Sequence, residues 1–287
     1  NLSTFLNELI ELPYENTVKE SIKRLKAIDA INKDGNITDI GLAINNFHEL
    51  EPQFARAILS SYNYNCSKEV CDLAALIIIS EYRLDKIFED FKPKDKNNYD
   101  KEKKVFDRNR KKWISAKGDI ISLYNVYQEF KKHEYNIERK NKNTNEVIII
   151  SKKLGGTKEW CYENSINYNK LRRVKNISKD LHKILIRNIV NPEKRKNNYN
   201  KNSKFYLFTN KEPILDEDKE KRILRALMDG FYINLLRNKY KKNYITCFPP
   251  KKIAGQFPRS SLYANVKKTS KFLFYLQFGS IFGNKSF

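Results

Sequence analysis

Apolar residues recur at helical spacing through most of the chain, and the spacing changes near its end. Val18, Ile22, Leu25 and Ile28 mark one face of a helix. Phe54, Ala55, Ile58, Leu59 and Tyr62 mark another, with Pro52 suited to its first turn. Val70, Leu73, Ala74, Ile77 and Ile78 follow at i, i+3, i+4, i+7 and i+8, the pattern of a buried helix, and Ser67 is placed to cap it. Ile120, Leu123, Tyr124, Tyr127 and Phe130 predict a helix beginning at Gly118-Asp119, and Trp160 to Leu185 reads as helical again. From Lys221 the texture shifts. Ile223, Leu224, Leu227, Phe231, Leu235 and Leu236 lead into short aromatic and β-branched runs: Tyr244 to Phe248, Ser261 to Val266 and Phe272 to Phe278. Pro249-Pro250 and Pro258 punctuate them, and short strands after a helix predict a small β-barrel.

The stretch INKDGNITDIGLAINNF, Ile31 to Phe47, is the first local signal. As a calcium loop with Gly35 at the sixth place, it would begin at Ala30 and end at Gly41, so the liganding acids are missing. Asp34-Gly35-Asn36 instead suits a tight turn that needs a positive φ. Thr17-Val18-Lys19-Glu20 has the form of a capping box ahead of the first helix. Thr38 is placed to cap a second helix through Leu42, Ala43 and Phe47. Helix, hairpin-like turn and helix in this order and size predict a winged-helix domain.

The charged stretch 92–117, with Val105, Phe106 and Trp113 interspersed, predicts a solvated helix or a long loop. Residues 131–158 are rich in Lys and Asn around Val147-Ile148-Ile149-Ile150 and read as a surface insertion of β-ribbon type. Residues 191–204 read as a flexible linker.

Charge then narrows the function classes. The net charge is +22 and the isoelectric point about 9.6, a balance that favours a polyanionic partner, most often nucleic acid. AT-rich coding also enriches Lys, Asn, Ile and Tyr, which explains part of the excess without excluding binding. Cys66, Cys71, Cys161 and Cys247 form no C-x-x-C pair and have no His at zinc spacing, so free thiols, a reducing compartment and no metal are expected. The longest apolar run, Leu73 to Ile79, is far short of a membrane span, and no signal peptide is visible. His48, His133 and His182 are scattered without a nucleophile at matching spacing. Asp216, Glu217 and Asp218 read as a solvated helix start rather than a magnesium site. Neither G-x-x-x-x-G-K-[ST] nor Asp-Glu-Ala-His occurs, so no ATP hydrolysis is expected from this stretch. The chain begins at Asn1 and is expected to be part of something longer.

Seven stretches together resemble one family. They are LKAIDAINKDGNITDIGLAI, FHELEPQFARAILSS, YNCSKEVCDLAALI, FKPKDK, GDIISLYNVYQEF, EWCYENSINYNKLRRVKNISKDL and RALMDGFYINLLR. In order and approximate spacing they resemble the C-terminal region of DEAH-box RNA helicases. The likeness covers residues 1–185 well and 221–245 fairly. It implies an α+β, mostly α fold: a winged helix, a ratchet-like helical bundle and a small OB-type β-barrel. The expected division is a winged helix at 1–48 and a bundle at 49–187 with an insertion at 137–158. A linker at 188–220 and an OB-fold at 221–287 follow, the barrel not necessarily complete at Phe287. Departures stand out. Ser178 and Asp180 occupy places where the family usually carries Arg and Gln. The OB-fold's usual His-Pro-Ser-Ser is echoed only by FPRSSLY, where Arg259 intervenes.

The resemblance implies that ATP and magnesium belong to two RecA-like motor domains of a parent protein, with no cofactor in this stretch. The expected partners are single-stranded RNA, those motor domains and a protein activator docking at the winged helix or OB-fold. No membrane partner is expected. A strand-gripping groove needs cations along phosphates and some stacking surface. Leu171-Arg172-Arg173-Val174-Lys175 offers three cations. They either face the RNA backbone or form a solvated face paired with Glu163 and Asp180. Arg259, Ser260 and Ser261 would hold a phosphate in a barrel loop, or form an ordinary turn. Lys267 and Lys268 are similar candidates, and Lys251-Lys252 weaker ones. Trp160 and Tyr162 would either stack on bases or join the core. Two rivals remain. One is an RNA-binding or docking module without a motor. The other is a DNA-binding regulator reading duplex through Thr38–Phe47, a segment with little cationic character. Nucleus, cytoplasm and viral particle all accommodate this composition.

Overall fold

The computed structural model describes residues 8–81, 84–89, 91–92, 96–137, 156–189, 218–240, 243–248, 253–254 and 270–276. The first helix among the described residues, α1 (Glu15–Ala27), is followed by the tight turn and then α2 (Asp39–Ile44). Ile31 and Ile37 pair as an antiparallel bridge, and Asn32 N–H donates to the Asn36 carbonyl at 2.8 Å. Gly35 sits at φ +87°, which a residue with a side chain rarely adopts. Thr38 caps α2, its Oγ1 accepting the Gly41 N–H at 3.0 Å. The capping box at Thr17 does not form. The helix starts earlier, with Tyr14 at the N-cap, and the Thr17 N–H already donates to the Tyr14 carbonyl at 2.8 Å.

Helices α3 (Pro52–Ser61) and α4 (Ser67–Ser80) build the centre. Pro52 opens α3 as its missing N–H allows. Ser67 is the first residue of α4, not its cap; Cys66 holds the cap position and makes no side-chain cap bond. α4 buries ten of its 14 residues, because its apolar positions extend around more than one face. Four further helices follow: α5 (Tyr99–Lys111), α6 (Asp119–Ile137), α7 (Thr157–Glu163) and α8 (Tyr168–Ile189). α4 packs against α3, α6 and α8. The run from Trp160 to Leu185 is thus two helices. Ser165 stands at φ +56°, and Ile166 bridges to Phe88 across the break. Residues 131–137, expected outside the helix, continue α6, and α7 already begins at Thr157; residues 138–155 lie outside the described set.

α9 (Lys219–Phe231) docks on α3. Gly230 makes this possible, since a Cβ there would lie 2.1 Å from the Gln53 carbonyl oxygen. Phe231 meets Phe54 edge-on at 4.7 Å. The Arg222 guanidinium donates to the carbonyls of Tyr64 and Asn65 at 3.2 and 3.1 Å. One core therefore runs from Ile28 through α3, α4, α6 and α8 to Phe231.

The chain then enters a small antiparallel sheet of β1 (Leu235–Tyr240), β2 (Asn243–Thr246), β3 (Ile253–Ala254) and β4 (Phe272–Phe274), in the order β3-β2-β1-β4. Leu236 pairs with Thr246 and Leu273, and Arg237 with Ile245 and Phe272. Leu236, Tyr244 and Thr246 are buried on one face. The fold is mostly helical with this sheet; among the described residues the strands do not close a barrel. The strand expected at Ser261 to Val266 and the linker at 191–204 lie outside the described residues.

Candidate nucleic-acid interface

The basic run of the sequence lies on α8. Asn167 Oδ1 accepts the Lys170 N–H at 3.0 Å and satisfies the first turn. Leu171, Val174, Ser178, Leu181 and Leu185, spaced three and four residues apart, are all buried. That buried stripe turns Arg172 and Arg173 outward, where both are exposed. Among the described residues neither side chain makes an ion pair or hydrogen bond. Lys175 has a different role. Half-buried, its Nζ sits 3.0 Å from Glu134 Oε1 and ties α8 to α6. Glu163 and Asp180 are not its partners; Asp180 pairs with Lys183 at 2.8 Å.

Lys179 went unnoticed in the sequence. It is exposed, and it lies seven residues after Arg172, hence on nearly the same face of the helix. The i, i+7 spacing was the available signal. Ser178 is buried, and its Oγ donates to Asp72 Oδ1 at 2.6 Å. Lys131 on α6 reaches the other carboxylate oxygen of Asp72 at 2.7 Å and lies over the Tyr127 ring. A buried charge in α4 is thereby satisfied from two neighbouring helices, and α8 is locked in place behind its exposed arginines.

Trp160 is half-buried and belongs to the packing, edge-on to Trp113 at 6.0 Å and stacked on His133 at 4.7 Å. Tyr162 is 64% exposed on α7. A second cationic set lies on the sheet. Arg237, Lys239 and Lys271 are exposed; Phe272, 46% exposed, pairs across from Arg237 and lies under Lys271 at 5.7 Å. Arg259, Ser260, Ser261, Lys267, Lys268, Lys251 and Lys252 lie outside the described residues.

The winged-helix segment offers little to a phosphate backbone. α2 (DIGLAI) has no cation and buries Gly41, Ala43 and Ile44. Cys66, Cys71 and Cys161 are buried free thiols. Burial pushes Cys66 and Cys161 up to about 12, and pushes Cys71 up too, so none is an activated nucleophile. Among the described residues no group of three His, Cys, Asp or Glu side chains could hold a metal ion. No described helix is long and apolar enough to cross a membrane. Asp218 stands at the N-cap position of α9, and its bond to Lys117 at 3.0 Å holds its carboxyl below the usual range.

Comparison with known proteins places this architecture. Residues 21–47 match the winged-helix model of the helicase-associated (HA2) domain, and residues 51–123 match its ratchet-like model. Both the winged-helix and the ratchet-like parts of the helicase-associated (HA2) domain are thus matched in this chain, in that order. The chain is a distant homologue of a protein from Pongo abelii described as a probable ATP-dependent RNA helicase, DHX35, with 26% identity over 270 residues. That match covers 91% of this chain but 30% of the relative, so the chain spans less than a third of the helicase it resembles.

Proposed function

We propose that this chain is the auxiliary region of a DEAH-box RNA helicase that grips single-stranded RNA and couples motor-domain movement to translocation or unwinding. The observation that carries the reading is the exposed, unpaired Arg172–Arg173 pair on α8, a helix fixed from behind by a buried stripe and by the Asp72–Ser178 bond. Two guanidinium groups held on a rigid helix suit phosphate oxygens, with Lys179 continuing the row. The cation and ring set at Arg237, Lys271 and Phe272 supports a second contact in which a base stacks beside a neutralised phosphate. The sheet would then belong to an OB-type fold, and Arg259, Ser260, Ser261, Lys267 and Lys268 would extend the grip.

The residues of this chain do not fit ATP, because no phosphate-cradle motif or magnesium-binding motif occurs in it. ATP and magnesium are assigned to RecA-like domains of a parent protein, and those domains are the first protein partner. A protein activator at the winged helix or sheet is the second.

The test is binding of the chain to single-stranded RNA and to duplex DNA across a salt series, beside the Arg172→Ala/Arg173→Ala variant. Preference for the single strand, a steep salt slope and a weakened variant are expected. Sequence-dependent preference for duplex DNA would overturn the reading in favour of a DNA-binding regulator. An unchanged variant would remove the arginines from the interface.

A further inference from the structure

The second strongly cationic helix has no place in the reading above. From Tyr99 to Lys112, along α5 and its cap, there are seven cations and three acids. They are not evenly mixed. At about 100° per residue, Lys101, Lys104, Arg108 and Lys111 fall within roughly a quarter of the helix circumference. All four are exposed, and among the described residues none of their side chains has an ion pair, hydrogen bond or ring contact. The remaining charges are used elsewhere. Lys103 pairs with Asp107 at 3.3 Å and lies over the rings of Phe91 and Phe106 at 5.0 and 4.9 Å. Arg110 lies over Phe88 at 5.0 Å. Lys112 donates to Asn164. Phe106 is buried on the side opposite the cationic row, and Asn109 donates to the Glu163 carbonyl at 2.6 Å, so the helix is pinned and its outer face is fixed.

We propose that this outer face of α5, with Lys101, Lys104, Arg108 and Lys111, binds the phosphate backbone of a nucleic-acid duplex. Three features favour a duplex over a single strand or an acidic protein. The face carries no aromatic ring, only Val105, and therefore offers nothing for an unpaired base to stack on. A duplex turns its bases inward and presents backbone, which cations alone can contact. The row from Lys101 to Lys111 is about 15 Å long at 1.5 Å per residue. A duplex places a phosphate about every 3.4 Å of axis on each strand, so roughly four phosphates lie opposite four cations. An acidic peptide has no fixed charge spacing to match this row, whereas the phosphates of a duplex do. The site is separate from the Arg172–Arg173 pair and does not depend on it.

The experiment uses the whole chain with three probes: a blunt RNA duplex, an oligouridine strand of the same length and a polyglutamate peptide. The variant is Lys104→Gln/Arg108→Gln/Lys111→Gln. All three residues are exposed, so its melting temperature should match the parent's, which checks that it is folded. The expected result is at least a tenfold loss of duplex affinity at moderate salt and a salt slope shallower by about 0.9 per lost phosphate contact. Oligouridine affinity should change less than about twofold. Unchanged duplex affinity overturns the proposal. Equal losses on duplex and oligouridine overturn it too, by making the row generic charge. A loss confined to polyglutamate would assign the face to a protein instead. A failure here leaves oligouridine binding and its dependence on Arg172 and Arg173 untouched, so the two proposals fail separately.

Discussion

Helices α4 and α5 have 14 and 13 residues and opposite relations to the fold. α4 buries ten side chains and touches four helices, whereas α5 buries Phe106 alone. The charged residue that α4 buries, Asp72, is engaged by Lys131 and Ser178. The charges that α5 exposes are largely unengaged on one side. Equal lengths of regular backbone thus do different work. One helix holds the others together, and the other presents a charged edge at little cost to the core.

The contrast is broken most severely in α4. Leu76 is fully buried, and Leu76→Ala should cost about 2–5 kcal/mol and lower the melting temperature of the whole helical core together. A local loosening around α4 with an unchanged global transition would show that the core is not one cooperative unit. Asp72→Ala should come next, at about 2–3 kcal/mol in urea unfolding, because Lys131 and Ser178 lose their shared partner. A cycle with Lys131→Met should be non-additive. In α5, Phe106→Ala should speed amide hydrogen exchange across residues 99–112 while moving the global midpoint by less than about 1 kcal/mol, since few other elements depend on it. A large global loss there would erase the distinction between the two helices.

The smallest effect concerns pH. Burial, with Lys68 nearby, holds the His182 imidazole below its ordinary value of 6.5, and Asp72 only partly opposes this. The folded state therefore prefers the neutral ring. The unfolded chain takes up its proton first as pH falls, so this contribution is complete above about pH 6.5 and declines below it. His182→Gln should flatten the stability curve just below pH 6.5 and leave it unchanged at pH 8.

Much of the helical core was legible because its information is local and periodic. The stripe of α6 is buried as spaced, those of α3 and α4 are buried apart from the half-buried Tyr62 and Ile78, and Gly35 and Thr38 stand where turn and cap chemistry requires. What escaped depends on contacts distant in sequence or on conformations with no residue signal. The break before α8 turns at Ser165, neither Gly nor Pro, and is held by Phe88. Thr17 and Ser67 have capping chemistry, but the helices begin at positions that leave it unused. Asp72 looks like a polar interruption until Lys131 and Ser178 arrive from other helices. The docking of α9 rests on Gly230 meeting Gln53, a fit no periodicity announces. For the interface, the run at Arg172 and Arg173 was readable as sequence. That Lys175 is spent on Glu134, and that α5 gathers its free cations on one side, required the packing.

The most direct measurement is photocrosslinking of the chain to single-stranded RNA carrying photoreactive uridines, with adducts mapped by mass spectrometry. Adducts concentrated between residues 168 and 180 of α8, and lost in Arg172→Ala/Arg173→Ala, are the expected result. Adducts that persist in that variant, or that fall on α2 and leave α8 unlabelled, would contradict strand gripping by α8.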